Sequence, residues 1–126
     1  NAATDITGFG LIGHMIELSR ASIISCKIHS QKVPLIPNAL GYAKGFIPGG
    51  LNDNRKTFDK DVDIKIDLDQ DLETIFYDPQ TSGGLLISAP PEKAERILQE
   101  LHSEGIESAA VIGEVTEKQD NYIEIH

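Results

Sequence analysis

The sequence predicts an α+β domain, a mixed β-sheet with helices packed on it. Two segments repeat apolar residues at helical spacing, namely Leu11, Met15 and Leu18, and Ala94, Ile97, Leu98 and Leu101. A third, Val62 to Leu68, alternates apolar and charged residues as a half-buried strand does. The latter half then runs strand, helix, strand, strand, an order that suits a strand–helix–strand unit beside a hairpin.

In chain order, the first helix is expected from Thr7 to Ala21, with Ile12 and Ile16 beside the apolar stripe and His14, Glu17 and Arg20 opposite. A strand follows over Ile23 to Ile28, β-branched around Cys26. Pro37 suits the first turn of a short helix through Asn38, Ala39, Leu40 and Tyr42. Gly45 to Asn54, rich in Gly and Asn, reads as a loop. The alternating strand at Val62 to Leu68 belongs near a sheet edge. Asp69 caps a short helix carrying Leu72, Ile75 and Phe76, which Asp78, Pro79 and Gln80 end. Leu85 to Ala89 reads as a buried strand. Pro90 and Pro91 introduce a helix over Glu92 to Ser103, with Glu92 four residues before Arg96 and Gly105 as the stop. Ala109 to Val115 and Tyr122 to Ile125 complete the set, joined by a turn at Gln119, Asp120 and Asn121.

A length of 126 residues, 40% hydrophobic and 25% charged, is one folded domain rather than a disordered chain. The net charge of −9 argues against nucleic-acid binding and against an anionic membrane surface. An acidic protein handles phosphate through backbone N–H groups or bound cations. The single Cys26 excludes a disulfide framework and a cysteine zinc site, and fits a reducing, cytoplasmic setting. No apolar run reaches the length of a membrane span. The first residue is Asn1 rather than Met, so a preceding portion is expected.

Gly8, Gly10 and Gly13 match G-x-G-x-x-G, but no strand is evident before Gly8 and no acidic residue lies about twenty positions beyond, so a dinucleotide fold is not supported. The glycines then serve either close packing or an anion-facing helix start near Thr7 and Gly8. Asp5 is either the cap of that helix or a carboxylate for Mg²⁺, which needs only one or two carboxylates from a segment. Asp59, Asp61, Asp63, Asp67, Asp69 and Asp71 fail the calcium-loop pattern, with Ile64 or Leu72 where Gly belongs. They read as a solvated strand face and a capped helix. Thr81, Ser82, Gly83 and Gly84 form either a tight turn or an N–H-rich anion loop, and Pro48-Gly49-Gly50 is a weaker case of the same kind. Cys26 reads as a buried structural thiol. His14 reads as a polar surface residue, and His14, His29, His102 and His126 lack zinc spacing.

Taken together, Thr4-Asp5-Ile6-Thr7-Gly8-Phe9-Gly10-Leu11-Ile12-Gly13-His14, Pro48-Gly49-Gly50 with Asn54, and Asp78-Pro79-Gln80-Thr81-Ser82-Gly83-Gly84-Leu85-Leu86 resemble, in order and separation, the C-terminal domain of the selenophosphate synthetase (selenide, water dikinase) family. That family lies in the superfamily of aminoimidazole ribonucleotide (AIR) synthetase and thiamine-monophosphate kinase. The resemblance covers the whole chain. It implies an AIR-synthetase C-terminal-domain fold, with α/β/α layers and a partly ferredoxin-like sheet. It implies that residues 1–126 are that one domain, cut near a domain boundary, with the ATP-binding catalytic domain upstream. The full-length enzyme would convert selenide, ATP and water to selenophosphate, AMP and phosphate, with Mg²⁺, as a cytoplasmic homodimer. Asp5 would be a Mg²⁺ ligand, and Thr4, Thr7, Gly8, Thr81, Ser82 and Gly83 would line the phosphate cleft. The family's reactive Cys or selenocysteine and its Lys belong to the upstream part, so no catalytic residue is expected here and Cys26 does not inherit that role. Where the family carries a basic residue after Pro-Gly-Gly, this chain has Leu51, Asn52 and Asp53, which argues against an anion contact there. The alternatives are a non-catalytic interaction module of the same fold, or the matching domain of another ATP-using relative.

Overall fold

The computed structural model describes residues 2–126. In chain order the elements are β1 (Ala2–Asp5), α1 (Gly10–Ser22), β2 (Ile24–Ile28), α2 (Ala39–Ala43), α3 (Gly49–Phe58), β3 (Val62–Ile64), α4 (Gln70–Phe76), β4 (Leu85–Ser88), α5 (Pro91–Ser103), β5 (Gly113–Glu117) and β6 (Ile123–Ile125). Four strands form a mixed sheet in the order β3-β6-β2-β5, and β1 pairs with β4 in a separate antiparallel ribbon. The predicted class, helices on a mixed sheet, is the one observed.

The core lies where α1 covers one face of the four-stranded sheet. The parallel registers place Cys26 beside Ile123 and Ile28 beside Ile125, while Val62 and Ile64 flank the same two isoleucines. Ile28, Ile123 and Ile125 are fully buried, as are Ile12 and Ile16 of α1. Ser19, one turn further along α1, is buried with its Oγ 3.4 Å from the Cys26 Sγ. Burial pushes the Cys26 thiol above its ordinary pKa, which favours the uncharged, unreactive form. Lys27 turns to the other face, 3.9 Å from Glu114. The edge position expected for β3 is the one it takes.

Several expectations are corrected. Gly45–Asn54 is not all loop, because α3 starts at Gly49. Leu51, Asn54 and Phe58 are buried from one face of α3, and that burial outweighs the weak helix propensity of Gly and Asn. A strand does precede Gly8. β1 is short and lacks an alternating apolar pattern, so nothing marks it in the sequence, and it exists by pairing with β4. It does not restore a dinucleotide fold, because it sits in a two-stranded antiparallel ribbon. Ile23 is not in β2; it ends α1 in a left-handed conformation (φ 55°) and is exposed. The strand at Val62 stops at Ile64, and Ala109–Ile112 precede β5 rather than forming part of it. β5 and β6 are not a hairpin pair: β2 lies between them, antiparallel to β5 and parallel to β6. β4 is not buried; Leu85 is 71% exposed, because its ribbon lies outside the main sheet.

The helix α5 forms as expected, with Pro91 in its first turn and Gly105 (φ 88°) beyond its end. Arg96 pairs forward with Glu100 (2.8 Å) rather than back to Glu92. Its stripe of Ala94, Ile97, Leu98 and Leu101 is only half-buried. It lines an apolar groove of about 1500 Å³ whose lining also includes Leu11, Met15 and Leu35. The two kinds of apolar site should therefore differ in energy. Ile123→Ala should cost about 2–5 kcal/mol in urea unfolding, as deletions in a packed core do. Ile97→Ala should cost less than about 1.5 kcal/mol, because little of its area leaves water. Equal losses would contradict the assignment of the core.

Candidate functional site

The three sequence motifs meet at one place. The loop between β1 and α1 lies against the loop between α4 and β4, joined backbone to backbone. The Ile6 N–H donates to Gly84 O (2.8 Å), and Gly83 N–H donates back to Ile6 O (3.0 Å). Gln80 N–H and Gly10 N–H both donate to the Thr7 carbonyl, each at 3.0 Å. Gly83 permits this approach: a Cβ there would stand 2.3 Å from the Ile6 carbonyl oxygen. Gly10 adopts φ +69° and touches the backbone of Phe76, Tyr77 and Asp78. Of the two readings of the glycine motif, close packing is thus realised at Gly10, and Gly13 lies against the Phe58 ring.

The third motif clamps the other two. Asn54, buried on α3, donates from Nδ2 to Gly8 O (2.9 Å) and to Tyr77 O (3.0 Å). One amide thereby satisfies a carbonyl from each of the two loops. Phe58, one turn further on, packs edge-on against Phe9. Tyr77 is fully buried and donates its hydroxyl to Asp59 (3.0 Å). Burial, aided by that hydrogen bond, holds the phenol far above its usual pKa. Burial also raises the Asp78 carboxyl. Arg55 of α3 lies over the Tyr77 ring and 3.3 Å from Glu73, so its charge is spent inside the domain.

The predicted site residues fall around this junction. Thr4 lies in β1 opposite Leu86. Asp5, the last residue of β1, is exposed, and its carboxylate has no hydrogen-bond or ion-pair partner among the described residues. It does not cap α1, whose cap position is Phe9 with no side-chain hydrogen bond. Gly8, Thr81 and Ser82 are exposed beside the junction. Gly83 is there as well, although its N–H is already given to Ile6. Of the anion loop expected at 81–84, the N–H groups of Thr81, Ser82 and Gly84 are thus left, while that of Gly83 is taken. Pro48 and Gly49 begin a helix, with Gly50 near Pro79, rather than a separate loop. The acidic run divides as expected at Asp69, which caps α4 through Asp71 N and Leu72 N, while Asp61 pairs with Arg20 and Asp63 with Lys65.

Asp5 also passes a chemical test for Mg²⁺. It is a hard oxygen donor with no internal commitment, and Mg²⁺ takes one or two carboxylates from a site. No group of three His, Cys, Asp or Glu side chains that could hold a metal occurs among the described residues. Asp5 is therefore suited to contribute one ligand to a site whose other ligands come from elsewhere.

Two residues do more in the structure than their sequence context shows. Asn54 figured only as part of a motif, and its role needs the fold to be seen. His14 is not a polar surface residue: its side chain is only 11% exposed, packed against Phe9 and bonded to Thr7. The only signal in the sequence was Glu17 three residues on.

A family model described as "AIR synthase related protein, C-terminal domain" matches residues 1–126. The chain belongs to this family. Among curated relatives of this AIR synthase related domain is "Selenide, water dikinase" from Clostridioides difficile (strain 630), 43% identical over 126 residues, covering 99% of this chain and 36% of the relative. Proteins with the same description from Caldanaerobacter subterraneus subsp. tengcongensis and Pelobacter propionicus are each 44% identical, covering 95% and 94% of this chain and 35% and 34% of theirs. The chain thus spans about a third of the length of these relatives. No described helix is long and apolar enough to cross a membrane.

Asn54→Ala should test the clamp. It leaves two carbonyls without their donor and should cost about 2 kcal/mol or more in chemical denaturation. Asn52→Ala, on the exposed side of α3, should cost less than about 0.5 kcal/mol.

Proposed function

We propose that this chain is the C-terminal domain of a selenophosphate synthetase, forming one wall of a nucleotide and Mg²⁺ cleft and inactive alone. The observation that carries the reading is the junction of the three motifs, with the uncommitted Asp5 carboxylate at its rim. The relatives named selenide, water dikinase support it. In the full-length enzyme, selenide, ATP and water would yield selenophosphate, AMP and phosphate. Phosphoryl transfer depends on positioning and on neutralising charge more than on covalent chemistry. Mg²⁺, when bound, supplies that neutralisation, and Asp5 is the residue here that would hold it. Thr4, Thr7, Gly8, Thr81, Ser82 and Gly83 would line the phosphate side. The ATP-binding domain, the reactive Cys or selenocysteine and the Lys would come from the remaining two-thirds of such a protein. A cytoplasmic homodimer is part of the proposal, with neither nucleic acid nor membrane as partner.

The alternative of a non-catalytic interaction module draws support from the open apolar groove beside α5. One set of measurements separates the readings. In the full-length enzyme, Asp5→Asn should lower Mg²⁺-dependent ATP turnover by about 100-fold or more, the scale of losing a preorganised electrostatic contact, while circular dichroism stays unchanged. Titration calorimetry should detect little or no ATP binding to residues 1–126 alone. An unchanged turnover rate would remove Asp5 from the metal site, and micromolar ATP binding by this chain would contradict the division of the cleft between domains.

A further inference from the structure

Thirteen large apolar side chains are exposed among the described residues, and eight of them line the groove of about 1500 Å³ beside α5. Phe46 is 78% exposed, Leu85 71% and Val115 50%. Single exposed apolar residues are ordinary on a folded domain, but a gathered set marks a surface that another body covers. The half-buried stripe of α5 adds Ile97 and Leu101 to the same lining. Asp5 is not part of it.

Size, attachment and charge select what covers the groove. A site for one small molecule takes about 300–1,000 Å³, so this groove suits something larger, a helix or a domain surface. The chain spans about a third of the length of its curated relatives. On the reading under Proposed function, the rest of the protein is a further body joined ahead of β1. The register of β1 fixes where that connection arrives. Ala2 pairs with Ser88, and Ser88 and Ala89 line the groove. The same groove continues to Pro79, Gln80, Thr81 and Ser82, beside the motif junction. A body that is attached at β1 and faces the phosphate rim therefore lies along the groove. The tether favours it further, because joining makes docking an intramolecular step at a roughly millimolar effective concentration. A second copy of this chain is the poorer occupant. It brings another net charge of −9, and a two-fold contact here would set the acidic α5, with Glu92, Glu95 and Glu100, near its own copy.

We propose that the groove lined by α5, β4 and β5 is the docking surface for the upstream domain, an apolar interface that fixes the two walls of the phosphate cleft against each other. This rests on the reading given under Proposed function and deepens it. The interface orients the upstream domain through apolar contact and leaves Asp5 free for its own role.

Hydroxyl-radical footprinting read by mass spectrometry tests this on residues 1–126 and on the full-length enzyme. In residues 1–126, Phe46, Leu85 and Val115 should label strongly at every protein concentration. In the full-length enzyme all three should lose most of that labelling, while Ile23, 77% exposed and outside the groove, should label equally in both. Equal labelling of the three in both proteins would overturn the proposal. Protection in residues 1–126 alone would overturn it too: protection that grows with concentration would give the groove to a second copy, and protection that does not would give it to α5 closing on its own chain. Val115→Glu, at a half-exposed position, should leave the urea midpoint of residues 1–126 unchanged. In the full-length enzyme it should restore labelling at Phe46 and Leu85, because an apolar interface cannot seal over an unpaired charge without cost. Undiminished protection in that variant would place the interface elsewhere. A covered groove in a full-length enzyme that forms no AMP from ATP and selenide would overturn the functional reading and leave the docking surface standing. Normal AMP formation with the groove still open would do the reverse.

Discussion

The constraint on which the site depends is the backbone splice between Ile6–Thr7 and Gln80–Gly84. Three amide-to-carbonyl hydrogen bonds cross between these segments, and the Thr7 carbonyl accepts a further one from Gly10 in its own loop. Each such bond is worth only about 1 kcal/mol net, but leaving the groups unpaired in this partly buried place would cost more. The splice also explains the glycines, since Gly83 and Gly10 stand where any side chain would strike the opposing backbone. Once it forms, Asp5, Thr7, Thr81 and Ser82 are brought to one rim, although some seventy-five residues separate the two loops.

Legibility followed the range of the interactions. The helices α1 and α5, the Asp69 cap and the burial of Cys26 rest on local spacing and composition, and these were readable. Features that depend on distant partners were not. β1 has no apolar pattern and owes its existence to β4. The burial of Leu51, Asn54 and Phe58, a tertiary effect, turns a Gly- and Asn-rich stretch into α3. The hairpin expected at the C-terminus fails because β2 inserts between β5 and β6, and no local signal specifies strand order. At the site, the resemblance brought the right segments to attention. It could not show that Gly83 spends its N–H on Ile6, that Asp5 has no capping duty, or that His14 is enclosed.

The acidity of the chain fits the same picture. Six of its eleven Lys and Arg residues are held in ion pairs, as with Arg20 on Asp61 and Arg55 beside Glu73. A wall of this kind offers oxygen ligands and hydrogen bonds to a phosphate cleft, while positive charge has to come from bound metal or from another domain.

The two loops form one cooperative unit clamped by Asn54. Native-state hydrogen exchange measures this most directly, because amides opening in one step share one opening free energy. The Ile6, Gln80 and Gly83 amides should exchange with a common free energy, and Asn54→Ala should lower all three together. Rapid exchange of Gln80 and Gly83 beside a protected Ile6, or a loss confined to one loop in the variant, would show that the loops open separately.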